Sequence, residues 1–371
     1  MKKVNFLCLI LLGLFFSACH SNDDTWGDWS KSYEFSGTGR THAVRFKIVD
    51  EANNKEYVYV GLGYNYSISE KDKNLRDFWR FDGHTWTRVD SFPALGRMGS
   101  VAFVVGTTAY VGGGYRAAMT NLEKDTYYTD FYKFDGLTGK WIEPEGAGHI
   151  TNYPGSGFYD GVGFSLNQLG YVGTGRLDGK DSKEIYSYNP ATGEWKDAGF
   201  LGESRVAPVT FQIGNKVVLC LGSSQGSSSE YKRDVWVFDG NTWSSKAPLR
   251  NLSDQKFDDD YENIPRVYAV AFTSNRDGGV AKGYVAGGIG TNAKSCWEYN
   301  IETDRWYEVT GFPAAMGSAR VSAVGFSLND YGYITVGGAN AASNNPTYDN
   351  STWKFTPGID EDDKNDYAPQ D

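Results

Sequence analysis

The chain has 371 residues, with 45 glycines, 25 tyrosines, 21 phenylalanines and 11 tryptophans, and a formal net charge of −10. That charge excludes nucleic acid as a partner, because phosphate binding needs a basic footprint. A hydrophobic content of 40% excludes general disorder, and aromatics beside so much glycine favour strands and tight turns over helices.

The N-terminus is an address. A basic MKK precedes VNFLCLILLGLFF (4–16), an apolar run shorter than the roughly 20 residues that span a bilayer. Residues 1–18 read as a signal peptide. Ser17 and Ala18 before Cys19 resemble a bacterial lipobox. That resemblance implies lipidation of Cys19 and a short tether over 19–25; cleavage of an ordinary signal peptide near Ala18 is the alternative. The following HSNDD is similar to acidic export signals of surface-displayed Gram-negative lipoproteins. The implied location is the outer membrane, reached through the lipid anchor only, facing either the cell surface or the periplasm.

Beyond the tether the chain repeats one pattern six times. A first strand ends in phenylalanine, as in GRTHAVRF (39–46), GRMGSVAF (96–103), GFYDGVGF (157–164), SRVAPVTF (204–211), PRVYAVAF (265–272) and ARVSAVGF (319–326). A second strand ends in small residues and glycine (VGLG, VGGG, VGTG, CLGS, VAGG, TVGG), and a variable loop follows. A third strand is aromatic (FWRF, FYKF, IYSY, VWVF, CWEY, TWKF), and a turn leads to Trp86, Trp141, Trp195, Trp243 or Trp306. Short alternating strands separated by turn signals predict antiparallel sheets. One such sheet cannot bury both faces, whereas six arranged radially cover one another.

The paired glycines Gly112–Gly113, Gly287–Gly288 and Gly337–Gly338, the aromatic third strands and the closing tryptophans together resemble the Kelch repeat family. The resemblance implies an all-β, six-bladed propeller over residues 26–357 with four antiparallel strands per blade. The sixth unit lacks a closing tryptophan, and WSKSYEFSGTGR (29–40) matches WTRVDSFPALGR (86–97). Trp29 is therefore expected to supply the last blade's fourth strand and hide both raw edges. Residues 358–371 read as a disordered acidic tail. Cys220 and Cys296 lie in apolar strands and read as buried free thiols.

Arg40, Arg97, Arg205, Arg266 and Arg320 stand at one register of the first strand, and Phe158 takes that place in the third unit. Alternation predicts that the arginines gather near one channel mouth. Cations ~10 Å apart repel by about 0.4 kcal/mol in water and about 1.7 kcal/mol at an effective dielectric of 20. Two readings follow: each arginine braces its own blade against carboxylates and carbonyls, or the mouth accepts an anion. The long loops fall on that same face and carry tyrosines. The candidate ligand-binding set is the five arginines with Phe158, Tyr268, His42, Tyr64, Tyr115 and Tyr159. The acidic run SDQKFDDDYEN (253–263) has no calcium-loop spacing.

Two enzymes share the architecture. Galactose oxidase needs copper-binding histidines and a cysteine–tyrosine cross-link. Here His20 is in the tether and His84 in a turn on the opposite face, which leaves His42 and His149, and both cysteines sit within strands. N-acetylneuraminate epimerase implies a glutamate directly after a second-strand glycine, and none of the six copies has it. No metal, cofactor or catalytic residue is assigned. The expectation is a non-catalytic envelope lipoprotein binding a carbohydrate, acidic sugars included, or an envelope protein. Sugar mutarotation is the alternative.

Overall fold

The computed structural model describes residues 26–69, 72–119, 123–142, 150–225, 230–251, 260–317, 319–339 and 347–360. The leader, Cys19, the tether, His149, most of the acidic run and residues 361–371 lie outside them.

Six four-stranded antiparallel sheets form the wheel. Blade 1 comprises Val44–Asp50, Lys55–Gly61, Phe78–Phe81 and Trp86–Val89. Blades 2, 3, 4 and 5 repeat it from first strands Val101–Val105, Val162–Leu166, Val209–Ile213 and Val270–Ser274. Blade 6 comprises Val324–Leu328, Tyr331–Thr335, Trp353–Asp360 and, as its outermost strand, Trp26–Lys31. First strands contact their neighbours around the whole circle, blade 6 against blade 1 included.

The closing strand is the one expected, with Trp29 opposite Phe355 and Lys31 opposite Trp353. Pairing reaches Asp360, opposite Trp26, so the last strand runs three residues past the boundary at 357 and takes in the start of the expected tail.

The repeated phenylalanine lies opposite a residue of the second strand. In blades 2, 3 and 6 that residue is seven positions on and the two rings stack on one face: Phe103 on Tyr110 at 4.7 Å, Phe164 on Tyr171 at 4.9 Å, Phe326 on Tyr333 at 5.2 Å. The longer hairpins of blades 1 and 5 bring Tyr59 onto Phe46 and Tyr284 onto Phe272, and blade 4 has Val218 there. Each stacked aromatic pair adds about 0.5–1.5 kcal/mol beyond its area burial. Apart from Trp306, whose buried Nε1 has no hydrogen-bond partner among the described residues, the fourth-strand tryptophans latch blade to blade. Trp86 Nε1 donates to Tyr33 O, Trp141 to Asp90 O, Trp243 to Ala198 O and Trp29 to Thr310 O, all at 2.9–3.1 Å. Cys220 and Cys296 are buried free thiols.

Candidate functional site

The five arginines do not ring the mouth. Their side chains are 0–2% exposed, inside the blades. Arg40 holds Asp77 in a two-pronged pair at 2.8 and 2.9 Å, and also donates to Thr38 O and Leu62 O. Arg97 pairs with Asp130, Arg205 with Asp234 and Arg320 with Asp349. Arg266 has no carboxylate. Ser295 stands where blades 1, 2 and 4 have aspartate, as Ser351 does in blade 6, and the Arg266 guanidinium bonds Ser295 Oγ and the carbonyls of Asn263, Ile264 and Ser295. Burial alone lowers its pKa to about 10. Arg40, Arg97 and Arg205 also lie over Phe35, Phe92 and Phe200. Phe158, equally buried, fills the same position in blade 3. These six residues brace the loops and leave the candidate ligand set.

The chain itself explains the displacement. The core valine and phenylalanine of each first strand point between blades, so residues in phase with them do not face the channel. Two residues after each arginine position, moreover, the backbone turns left-handed: His42 (φ 53°), Gly99 (65°), Asp160 (52°), Ala207 (48°), Tyr268 (57°) and Ser322 (49°). Left-handed backbone is costly for side-chain-bearing residues and persists only where surroundings enforce it. Here amide-to-carbonyl bonds run from Ala207 to Asp160, to Gly99, to His42, to Ser322 and to Tyr268, at 2.7–3.3 Å. Five bonds thus string six residues around the axis. Gly63 and Gly175, themselves left-handed, let the second strands approach this ring: a Cβ on either would fall 2.6–2.7 Å from the carbonyl oxygen of Thr41 or Tyr159.

The polar members of the ring meet over the channel. His42 Nδ1 lies 2.8 Å from Asp160 Oδ1, His42 Nε2 lies 3.2 Å from Ser322 Oγ, and the Tyr268 ring meets the imidazole edge-on at 5.5 Å. These partners belong to blades 3, 6 and 5, so the blade 1 histidine crosses the axis. Burial disfavours the imidazolium, but the charge and hydrogen bond of Asp160 outweigh it, and the His42 pKa lies above its ordinary 6.5. Asp160 Oδ2 is buried with no hydrogen-bond partner. Burial, then Asp160, Tyr159 and the neighbouring groups Arg176 and Asp181, set the ionisation of the Tyr268 hydroxyl, which is pushed well up.

Beside this cluster stands an aromatic wall. Tyr115, Tyr127 and Tyr159 are half-buried, with ring centroids 5.0, 5.2 and 6.1 Å apart. Short extensions of the second-to-third-strand loops hold them, through Tyr115 opposite Tyr127 and Tyr159 opposite Arg176. Arg176 pairs with Asp181 at 3.4 Å, and Arg116 with Asp72. Tyr64 sits apart, bridging Thr41 and Asn74 in blade 1. Of the expected residues, the structure brings together His42, Tyr268, Tyr159 and, at the edge, Tyr115. Asp160, Ser322 and Arg176 were missed. Asp160 and Ser322 share the register of His42 and Tyr268, so lining up all six copies two residues beyond the arginine would have found them.

A folded pKa raised above the unfolded value gives stability that is complete below about pH 6.5 and lost as pH rises through the folded value. An NMR titration of the His42 ring should show a midpoint above 6.5, and Asp160→Asn should bring it down. An unchanged midpoint in that variant would remove Asp160 as the cause.

No family model matches the chain, and no curated protein matches it. Among solved structures, that of YjhT is similar, with a TM-score of 0.61 and 16% identity over 86% of this chain and 96% of that one. At that identity the likeness carries the propeller fold alone.

Proposed function

We propose that this is a carbohydrate-binding propeller of the Kelch type, lipid-anchored through Cys19 to the outer membrane, which takes its ligand on the upper face without transforming it. The observation that supports this reading is the tyrosine wall, Tyr115, Tyr127 and Tyr159, set beside Tyr268, Asp160 and His42. Aromatic faces cover the apolar side of a sugar ring, and the adjoining carboxylate, hydroxyl and guanidinium groups read its hydroxyls. Arg176 on the rim suits acidic sugars. The five blade arginines take no part, since they are buried within the blades and each is held there by several acceptors.

A glycan array with the chain from Asp23 onward tests the reading. Tyr159→Ala and Tyr115→Ala should each weaken the best ligand tenfold or more, about 1.4 kcal/mol. Absence of any glycan signal, together with capture of a single outer-membrane protein, would replace the sugar with a protein partner.

One observation favours a second reading. Mutarotation needs a proton donor and a proton acceptor at the anomeric centre, and Asp160 with its unpartnered oxygen beside His42 is such a pair. One group would protonate the ring oxygen while the other removes the anomeric hydroxyl proton, and the reverse transfer would close the other anomer. Saturation-transfer NMR on N-acetylneuraminate anomers decides this. Accelerated exchange that falls about 10²–10⁴-fold in Asp160→Asn would make the protein an enzyme; unaltered exchange leaves it a binder.

A further inference from the structure

The lower part of the central channel carries a separate feature. Arg45 faces the axis from blade 1, with Ala102, Gly163, Thr210, Ala271 and Gly325 at the same level of the other blades. Below them the channel widens to a chamber of about 490 Å³ that opens toward the short turns; above lies a narrower section of about 170 Å³, and Arg45 lines both. The chamber wall contains two basic side chains, Arg45 and Lys47, and no acidic one, in a protein whose net charge is −10. Lys47 is committed to Glu56 at 2.9 Å. Among the described residues the Arg45 guanidinium has no hydrogen-bond, ion-pair or ring partner. The contrast is internal to the protein: the other five first-strand arginines are each held by several acceptors, and this one has none.

Hydroxyl groups complete the surroundings. Ser165 Oγ accepts the Val104 amide at 2.8 Å, which leaves its own hydrogen to donate, and Ser327 Oγ accepts the Thr273 amide at the same distance. Thr210 stands at the level of Arg45. A guanidinium presents its fork to paired oxygens, as carboxylate and phosphate do. At ~30 Å³ per water the chamber has room for roughly sixteen waters, so a small solute fits with part of its hydration. His42 crosses the opposite end, so entry is from the lower face.

We propose that the lower chamber is an oxyanion site in which Arg45 is the fixed cation and the channel hydroxyls are additional donors. Its occupant is a small solute bearing a carboxylate or phosphate group. The site is independent of the sugar reading, which concerns the opposite end of the channel.

Isothermal titration of the chain from Asp23 onward with inorganic phosphate and, separately, with succinate tests this. At least one should give a saturable single-site isotherm whose affinity falls with added sodium chloride. Arg45→Gln should weaken it at least tenfold, and Arg45→Lys should retain part of it. Binding of phosphate alone identifies a free phosphate site, and binding of succinate a site for organic acids. A second measurement avoids any folding defect. In the unmodified protein, phenylglyoxal should label Arg45, and the ligand should slow that labelling at Arg45 specifically. Absence of saturable binding of either probe, equal binding by Arg45→Gln, or labelling of Arg45 that the bound anion does not slow would overturn the proposal.

Discussion

Trp29→Ala is expected to lower the unfolding free energy by about 3–5 kcal/mol, the range for truncating a large buried aromatic. The side chain is 1% exposed, and its ring meets Phe312 at 5.2 Å, Phe355 at 4.9 Å and Phe272 at 6.1 Å. Its Nε1 also donates to Thr310 O at 2.9 Å, which ties blade 6 to blade 5. The strand it anchors covers an edge that would otherwise present unpaired backbone groups. Loss of this residue therefore removes packing, an interblade bond and part of the closure together. Urea unfolding followed by tryptophan fluorescence provides the measurement, with the midpoint displaced to lower urea and the native propeller more prone to associate through the freed edge. A cost under about 1 kcal/mol, the scale of an ordinary surface change, would mean that the N-terminal strand does not close the wheel.

Asp77→Ala is expected to cost a similar amount, about 3–5 kcal/mol, because it leaves the Arg40 charge buried without its counter-ion. Arg40 is 0% exposed and Asp77 16% exposed. Removing the more accessible partner therefore strands the deeper one. The same pair sets an acid limit. Burial pushes the Asp77 carboxyl up, but the hydrogen bonds and charge of Arg40 push it down further, and its pKa lies below the ordinary carboxylate value. Asp234 beside Arg205 behaves alike. A depressed folded pKa gives stability that is present above about pH 4 and lost as pH falls through the folded value. Unfolding free energies measured between pH 6 and 2 should therefore fall in acid, and less steeply for Asp77→Asn than for the unmodified chain. Blade 5 supplies the comparison, since Arg266 pairs with Ser295 and carbonyls and has no carboxylate to protonate. Equal acid slopes for Asp77→Asn and the unmodified chain would show that the bidentate pair contributes nothing to the pH dependence.

The channel is electrostatically uneven along its length. Asp160 and His42 occupy one end, Arg45 and Lys47 the other, and a narrow section lined by small residues separates them. The two proposed sites would therefore not compete, because each end is reached from its own face.

Six repeats, four strands per repeat and the closure through Trp29 were legible in the amino-acid sequence, because a phenylalanine, a glycine-rich strand end and a tryptophan recur in one order. Each corresponds to one local requirement: a cross-strand pair, a left-handed close approach, or an interblade contact. Local requirements of this kind repeat whatever the rest of the molecule does. The destination of the arginines was decided only by the tertiary structure. Counting by twos from Val44 and Phe46 back to Arg40 assumes an extended backbone throughout, and His42 and its five counterparts interrupt it with positive φ. The residues in phase with those core side chains, moreover, face the neighbouring blade. The channel belongs to the alternate positions, which is why Arg45, unremarked among the repeats, reaches the lumen while five more conspicuous arginines do not. The meeting of His42 with Asp160 and Tyr268 was equally hidden, since 118 and 226 residues of chain separate them from it, and only closure of the wheel brings blades 1, 3 and 5 to a common axis.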